Sequence, residues 1–173
     1  VDAALAMAFV LPLCEPQSTG YFGDLFCIIS QHKDEKFIGL NGSGKSPNQA
    51  NLEILKLNGF KKIPETNISS ITLPGAMKAF ESLHNNFCKL DLYEICKPAI
   101  TYAEQGVPVS PRVAFDWNYS IGNLKGIAKE FYTKNGASYK IGDIFKAPQQ
   151  ANVLREFAKN GATVSYTHLR AHE

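Results

Sequence analysis

At 173 residues, 45% of them hydrophobic and 20% charged, the chain has the length and balance of one globular domain, not of a fibrous or low-complexity segment. A formal net charge of +2, with lysines and arginines dispersed and a pI near 8.3, is too mild for a nucleic-acid surface, so no nucleic-acid partner is expected. The most apolar stretch, residues 3–14, falls short of the roughly 20 residues that span a bilayer and contains Pro12, so no membrane segment is expected. With Asp2 ahead of it and no basic leader it does not read as a signal peptide, and an opening Val in place of Met implies that the natural N-terminus lies upstream.

Residues 2–11 carry Ala and Leu on every face, which predicts a helix buried on all sides. The stretch EPQSTGYFGDLF, residues 15–26, ends that helix at Pro16 and turns the chain with Gly20 and Gly23. Such a turn can offer backbone N–H groups, Ser18, Thr19 and Asp24 to a ligand, or can simply connect. Residues 25–30 read as a buried strand, residues 31–36 as a hairpin turn holding His32, and residues 37–40 as the returning strand. That strand runs into NGSGKSP, residues 41–47, a glycine- and serine-rich loop with one lysine, able to approach an anionic ligand. GLNGSGKS satisfies the written phosphate-loop pattern GxxxxGK[ST]. Pro47 follows at once, however, and no later strand–helix repeat supplies an Asp for magnesium, so a nucleotide site is not expected.

Downstream the chain alternates helices and loops. Helices are expected over residues 49–57, stopped by Asn58 and Gly59; over 76–87, with Met77, Phe80, Leu83 and Phe87 as its core face; and over 92–105, capped by Asp91 with Glu94 placed for a capping box and closed by Gly106. A short strand is expected at 71–73, a rigid connector at 107–111 with Ser110 as N-cap, and further helices at 112–121, 123–132 and 149–159. Glu104 and Asp116 read as solvated helix charges, not as an acid–base pair. Cys14, Cys27, Cys88 and Cys96 fit neither a CxxC redox motif nor a zinc site, and His32 and His84 have no metal-ligand partner at useful spacing. The cysteines read as free core thiols, which weighs toward a reducing, cytoplasmic setting over a periplasmic or secreted one, with a disulfide as the alternative.

VDAALAMAFVLPLCEPQSTG, followed by Gly23 and Phe26, resembles the N-terminal signature VDAAVAxAFxLxVxEPxxSGxGGG of the γ-glutamyltransferases (γ-glutamyl transpeptidases). ITLPGAMKAFESLHNNF, LYEICKPAITYAEQGVPVSPRVA and GDIFKAPQQANVLREFAKNGA match in the family's order, so the resemblance covers most of residues 1–162. It implies an α+β fold, the four-layer α-β-β-α sandwich of N-terminal-nucleophile hydrolases, incomplete here, with residues 1–162 as the N-terminal part of the large subunit. It implies self-cleavage of a precursor, a new N-terminal Thr that attacks an amide through an acyl-enzyme, and no cofactor or metal. The partners it implies are a small-molecule amide substrate, the C-terminal part of the same precursor and its small subunit. No catalytic residue is expected within this chain.

The resemblance makes Asn41, Ser43 and Lys45 the candidate substrate-binding residues. Glutathione-processing members end this strand in a D-x-R-E-x-A-P-like sequence whose Arg holds the α-carboxylate of the γ-glutamyl group. With Pro47 matched to the family Pro, Ser43 stands at the Arg position, and Lys45 offers a point charge in place of a bidentate fork. The form LNGSG[RK][AS]P resembles instead the oxamate amidohydrolase-like branch. Tyr21 and Phe22 stand where the family has small residues and are expected to narrow any cleft there. Residues 163–173 depart from the family pattern and read as a non-native tail; Tyr166, Thr167 and His168 echo the family's Thr-Thr-His segment far too early in the chain to be the nucleophile. A catalytically inactive remnant that only packs against a partner chain is the remaining alternative.

Overall fold

The computed structural model describes residues 1–31, 36–65 and 67–163; His32 and the tail expected at 163–173, apart from Thr163, lie outside the described residues. The fold is mixed, mostly helical, with two small two-stranded antiparallel sheets. In chain order the elements are α1 (Asp2–Cys14), β1 (Leu25–Gln31), β2 (Lys36–Gly42), α2 (Leu52–Leu57), α3 (Ala76–Phe87), α4 (Leu92–Gln105), β3 (Val107–Pro108), α5 (Pro111–Ser120), α6 (Gly126–Phe131), β4 (Ile144–Phe145) and α7 (Pro148–Asn160). They fall into two compact units, Phe22–Ser82 and the remainder of the chain, with α3 running across the division. No helix among the described residues is long and apolar enough to cross a membrane.

In the larger unit, α4 packs against both α1 and α7. Ile95, Cys96, Ala99, Ile100 and Ala103 form the buried face of α4, spaced at three and four residues as an amphipathic helix requires. Asp91 caps its start by accepting the Tyr93 N–H at 2.8 Å, and Gly106 ends it with φ +96°. Glu94 does not complete a capping box: it pairs with Lys97 one turn on, at 3.4 Å. Phe9 and Phe157 meet edge to face at 5.7 Å, and Trp117, Tyr132, Tyr139 and Phe145 form an aromatic cluster in which the Trp117 indole N–H donates to the Tyr132 carbonyl at 2.8 Å. Glu104 pairs with Arg155, and Asp116 with Arg112 at 2.7 Å.

Several expectations are corrected. Helix α1 continues to Cys14, because Pro12 forfeits only its own N–H while Glu15 still donates to the Leu11 carbonyl at 2.7 Å. Nor is α1 buried all round: Leu5, Phe9, Pro12 and Leu13 are buried, whereas Met7 is 61% exposed. Strand β1 is not buried either, with Phe26 67% and Ile28 78% exposed, since among the described residues it pairs only with β2 in a two-stranded sheet. No strand forms at 71–73; a 3₁₀ turn at Ile68–Ser70 precedes it, and Leu73 makes a single backbone bond to Lys45. The helix expected at 49–57 begins only at Leu52, with the Asn51 side chain as its cap, and that expected at 123–132 shrinks to α6 behind a 3₁₀ turn at Ile121–Asn123. Of the cysteines only Cys96 is fully buried, its thiol pushed up to about 12 by burial and the neighbouring Asp91; Cys14, Cys27 and Cys88 are half-buried, and all four are free thiols.

Candidate functional site

Asn41, Ser43 and Lys45 lie at the exit of β2 in the smaller unit, all three exposed. The antiparallel register pairs Phe26 with Asn41 and Leu25 with Gly42, so the loop leaves the hairpin beside the start of β1. Pairing ends there for a local reason. The Asn41 side-chain oxygen accepts from the Ser43 N–H at 3.0 Å and from the Ser43 hydroxyl at 2.6 Å, an Asx-type turn that offers the backbone an alternative to the ladder. One residue on, the Gly44 N–H donates to the Asp24 carboxylate at 2.7 Å, and the Lys45 carbonyl accepts from the Leu73 N–H at 2.9 Å.

The glycines of this loop serve close backbone approach. A Cβ on Gly44 would overlap the Leu73 carbonyl, one on Gly75 would overlap the Gly42 carbonyl, and one on Gly42 would lie 2.8 Å from the Leu25 carbonyl oxygen. The Gly23 carbonyl accepts from Gly75 N–H at 3.1 Å and Ala76 N–H at 2.9 Å, joining the start of α3 to the turn before β1. Residues 23–25, 41–45 and 73–76 thus form one backbone-packed junction. A phosphate loop needs a helix opening at its GK[ST] residues; here the chain stays irregular past Lys45, and the next helix, α2, starts at Leu52.

The N–H groups of Ser43 and Gly44, which a glycine–serine loop offers to an anion, are therefore held by Asn41 and Asp24 of the protein itself. Among the described residues of the loop, the Asn41 amide and the Lys45 ammonium are exposed to a ligand. An open hollow lined by Phe26, Cys27, Ile28, Gly39 and Leu40 leads along the hairpin to Asn41. The Ser43 hydroxyl bonds to an amide oxygen, which is no base, so nothing here activates it as a nucleophile. This constellation can bind and orient a small polar molecule. Asp24, expected with Ser18 and Thr19 as a turn residue offered to a ligand, instead holds the Gly44 N–H of the loop; its place directly after Gly23, at the head of the strand that pairs with the loop, was the available signal.

Of the turn residues, Ser18, Thr19 and Tyr21 belong to the larger unit. Ser18 and Thr19 N–H groups donate to the Glu15 carbonyl at 2.9 and 3.1 Å, winding the end of α1. Tyr21 is buried in the larger unit, its hydroxyl donating to the Phe9 carbonyl at 2.7 Å, and burial pushes its pKa up. Phe22, 39% exposed, opens the smaller unit.

A family model described as Gamma-glutamyltranspeptidase matches residues 1–173. Among curated proteins the chain is similar to the Glutathione hydrolase-like YwrD proenzyme of Bacillus subtilis (strain 168), 29% identical over 172 residues, 95% of this chain and 32% of that protein. The Glutathione hydrolase proenzyme of the same organism is 23% identical over 173 residues, 96% of this chain and 29% of that protein. Among solved structures, the cephalosporin acylase from Bacillus halodurans matches with TM-score 0.86 and 30% identity, over 94% of this chain and 32% of that one. The Helicobacter pylori gamma-glutamyltranspeptidase shares the fold with TM-score 0.84 at 23% identity, over 93% of this chain and 48% of that one. The chain spans about a third of the length of the curated relatives it matches. Because the family match runs the length of the sequence and the same fold recurs in those solved structures, the chain belongs to the γ-glutamyltranspeptidase family.

Proposed function

We propose that the chain is the N-terminal part of the large subunit of an N-terminal-nucleophile hydrolase that cleaves or transfers a γ-glutamyl amide of the glutathione type. In this reading β1 and β2 belong to a four-layer α-β-β-α sandwich whose remaining strands and small subunit come from other parts of the same precursor. The precursor cleaves itself ahead of a Thr, the Thr hydroxyl attacks the amide carbonyl with its own α-amino group as base, and the acyl-enzyme passes its acyl group to water or an amine. Nucleophile, base and most of the oxyanion donors would lie outside this chain, which contributes one wall of the pocket. The observation that carries the reading is the family match along the whole chain; the proenzyme and acylase names of its relatives support it.

On that wall Asn41, Ser43 and Lys45 are assigned to the acyl donor: Lys45 to its carboxylate, Asn41 to a polar group beside it, and Ser43 to holding Asn41 in place. A second reading, hydrolysis of another small amide such as oxamate within the same family, is favoured by one specific observation: residues 40–47, LNGSGKSP, contain no arginine to fork onto an α-carboxylate. A catalytically inactive packing partner is the outcome to be excluded. Expressing the whole reading frame that contains this chain and analysing the product by denaturing gel and mass spectrometry tests the mechanism. Cleavage into two subunits at a Thr is expected, with turnover of γ-glutamyl-p-nitroanilide or of oxamate choosing between the substrates. An intact, inert product refutes the hydrolase and leaves the packing partner.

A further inference from the structure

We propose that Asp24 is a positioning residue for the substrate loop, its carboxylate holding the Gly44 N–H and so setting where Asn41 and Lys45 present their polar groups. The inference rests on the reading of that loop as the acyl-donor wall. Three anchors fix the loop. At its start the Asn41 side chain binds Ser43 locally, and at its end Lys45 is tied backbone to backbone to Leu73 at 2.9 Å. The middle is held by Asp24, 20 residues away in sequence, through a 2.7 Å bond to Gly44. A bond of this kind, from a backbone N–H to an ionised carboxylate, is shorter and stronger than one between neutral groups.

The middle is where an anchor matters. Gly44 has no side chain to fix its backbone, and none could be added, because the Leu73 carbonyl occupies that space. Without Asp24 the Gly44 N–H loses its charged acceptor, and the peptide ahead of Gly44 is held only by its packing against residues 73–75, so the segment from Ser43 to Lys45 loosens between its two tethered ends. The tethered ends and the pairing of β1 with β2 do not depend on Asp24, so its loss loosens the loop without dismantling the hairpin. The consequence is weaker substrate binding with unaltered chemistry: KM rises while kcat stays.

The test compares Asp24→Ala, Asp24→Asn and Lys45→Ala in the whole reading frame, with KM and kcat measured on whichever of γ-glutamyl-p-nitroanilide and oxamate is turned over. Amide hydrogen exchange of the peptide covering residues 41–47 is followed by mass spectrometry. Asp24→Ala is expected to raise KM about tenfold, the low end of what one lost charge-assisted bond is worth, as suits an exposed site. Its kcat should stay within about twofold, with faster exchange at the loop, and Asp24→Asn, which keeps an acceptor oxygen, should recover most of both effects. An unchanged KM in Asp24→Ala beside a raised KM in Lys45→Ala overturns the role of Asp24 and leaves the substrate loop standing. Unchanged KM in both variants refutes the loop as the acyl-donor wall and the proposal with it. A fall in kcat at constant KM refutes positioning. Should Asp24→Ala not fold, Asp24→Glu, which keeps the charge but displaces the oxygen, must still raise KM and exchange, and wild-type values in it overturn the proposal. In a protein that turns over neither substrate, unchanged exchange at 41–47 overturns it on its own.

Discussion

Replacing Phe157 by alanine tests whether the contact of α7 with α1 anchors the larger unit. Phe9 and Phe157 are both 0% exposed, and their rings meet at 5.7 Å with an interplanar angle of 60°. Removing a phenyl ring from an enclosed site costs about 3–5 kcal/mol, from lost transfer energy and the cavity left behind. Phe9→Ala has the same expectation. The edge-to-face pairing adds about 0.5–1.5 kcal/mol that either deletion already forfeits, so the double variant should fall short of the sum of the single losses by about that amount. Urea denaturation of the four proteins, followed by far-UV circular dichroism, measures all the terms, because α1, α4 and α7 carry much of the helical signal. A loss below about 1 kcal/mol for either single variant would place the ring at an ordinary surface site and refute the packing. Additivity within about 0.3 kcal/mol would refute the direct ring contact.

Two further outcomes follow from the backbone. Asp2 accepts the Leu90 and Lys89 N–H groups, both at 2.8 Å, and these bonds, Leu90 first, hold its carboxyl below the usual range. A depressed carboxylate contributes stability that is present above its unfolded value, about 3.9, and is lost as pH falls through its lower folded value. Asp2→Asn should therefore flatten the acid limb of a thermal-stability profile below about pH 4; identical limbs in the two proteins would show that the bonds carry no such linkage. At Gly106, φ is +96°, and a Cβ would overlap Ile144 and sit 2.9 Å from the Lys146 side chain. Gly106→Ala should cost about 1–3 kcal/mol, read as a melting temperature lowered by about 2–4 °C per kcal/mol, and an unchanged melting temperature contradicts the close approach of α4's end to β4.

What could be read from the sequence was what is decided locally. Helix α4 was legible from Asp91 to Gly106 because cap, amphipathic face and glycine stop agree, and Pro98 inside it did not mislead since the flanking pattern outweighs one missing N–H. The family motifs carried the fold and its kinship. What could not be read was decided by partners distant in sequence. Composition says that α1 and β1 are apolar, but not which faces find cover; Met7, Phe26 and Ile28 are exposed because nothing described here lies over them. The 71–73 stretch has the branched residues of a strand, but its backbone bond from Leu73 to Lys45 is not extended into a ladder among the described residues. At the candidate site Asn41, Ser43 and Lys45 were legible through their loop, while the use of its N–H groups by Asn41 and Asp24 depends on the hairpin bringing residue 24 beside residue 44.

The distribution of aromatic rings has a practical corollary. The single tryptophan, Trp117, is 4% exposed inside the larger unit, and the sequence from Phe22 to Ser82 contains neither tryptophan nor tyrosine. The smaller unit is thus silent in tryptophan and tyrosine emission, and an unfolding curve recorded that way reports the larger unit alone. A tryptophan introduced at Phe60, a half-buried position of the smaller unit, would give each unit its own optical signal, so that melting of the loop-bearing hairpin could be timed against melting of the helical core in a single sample.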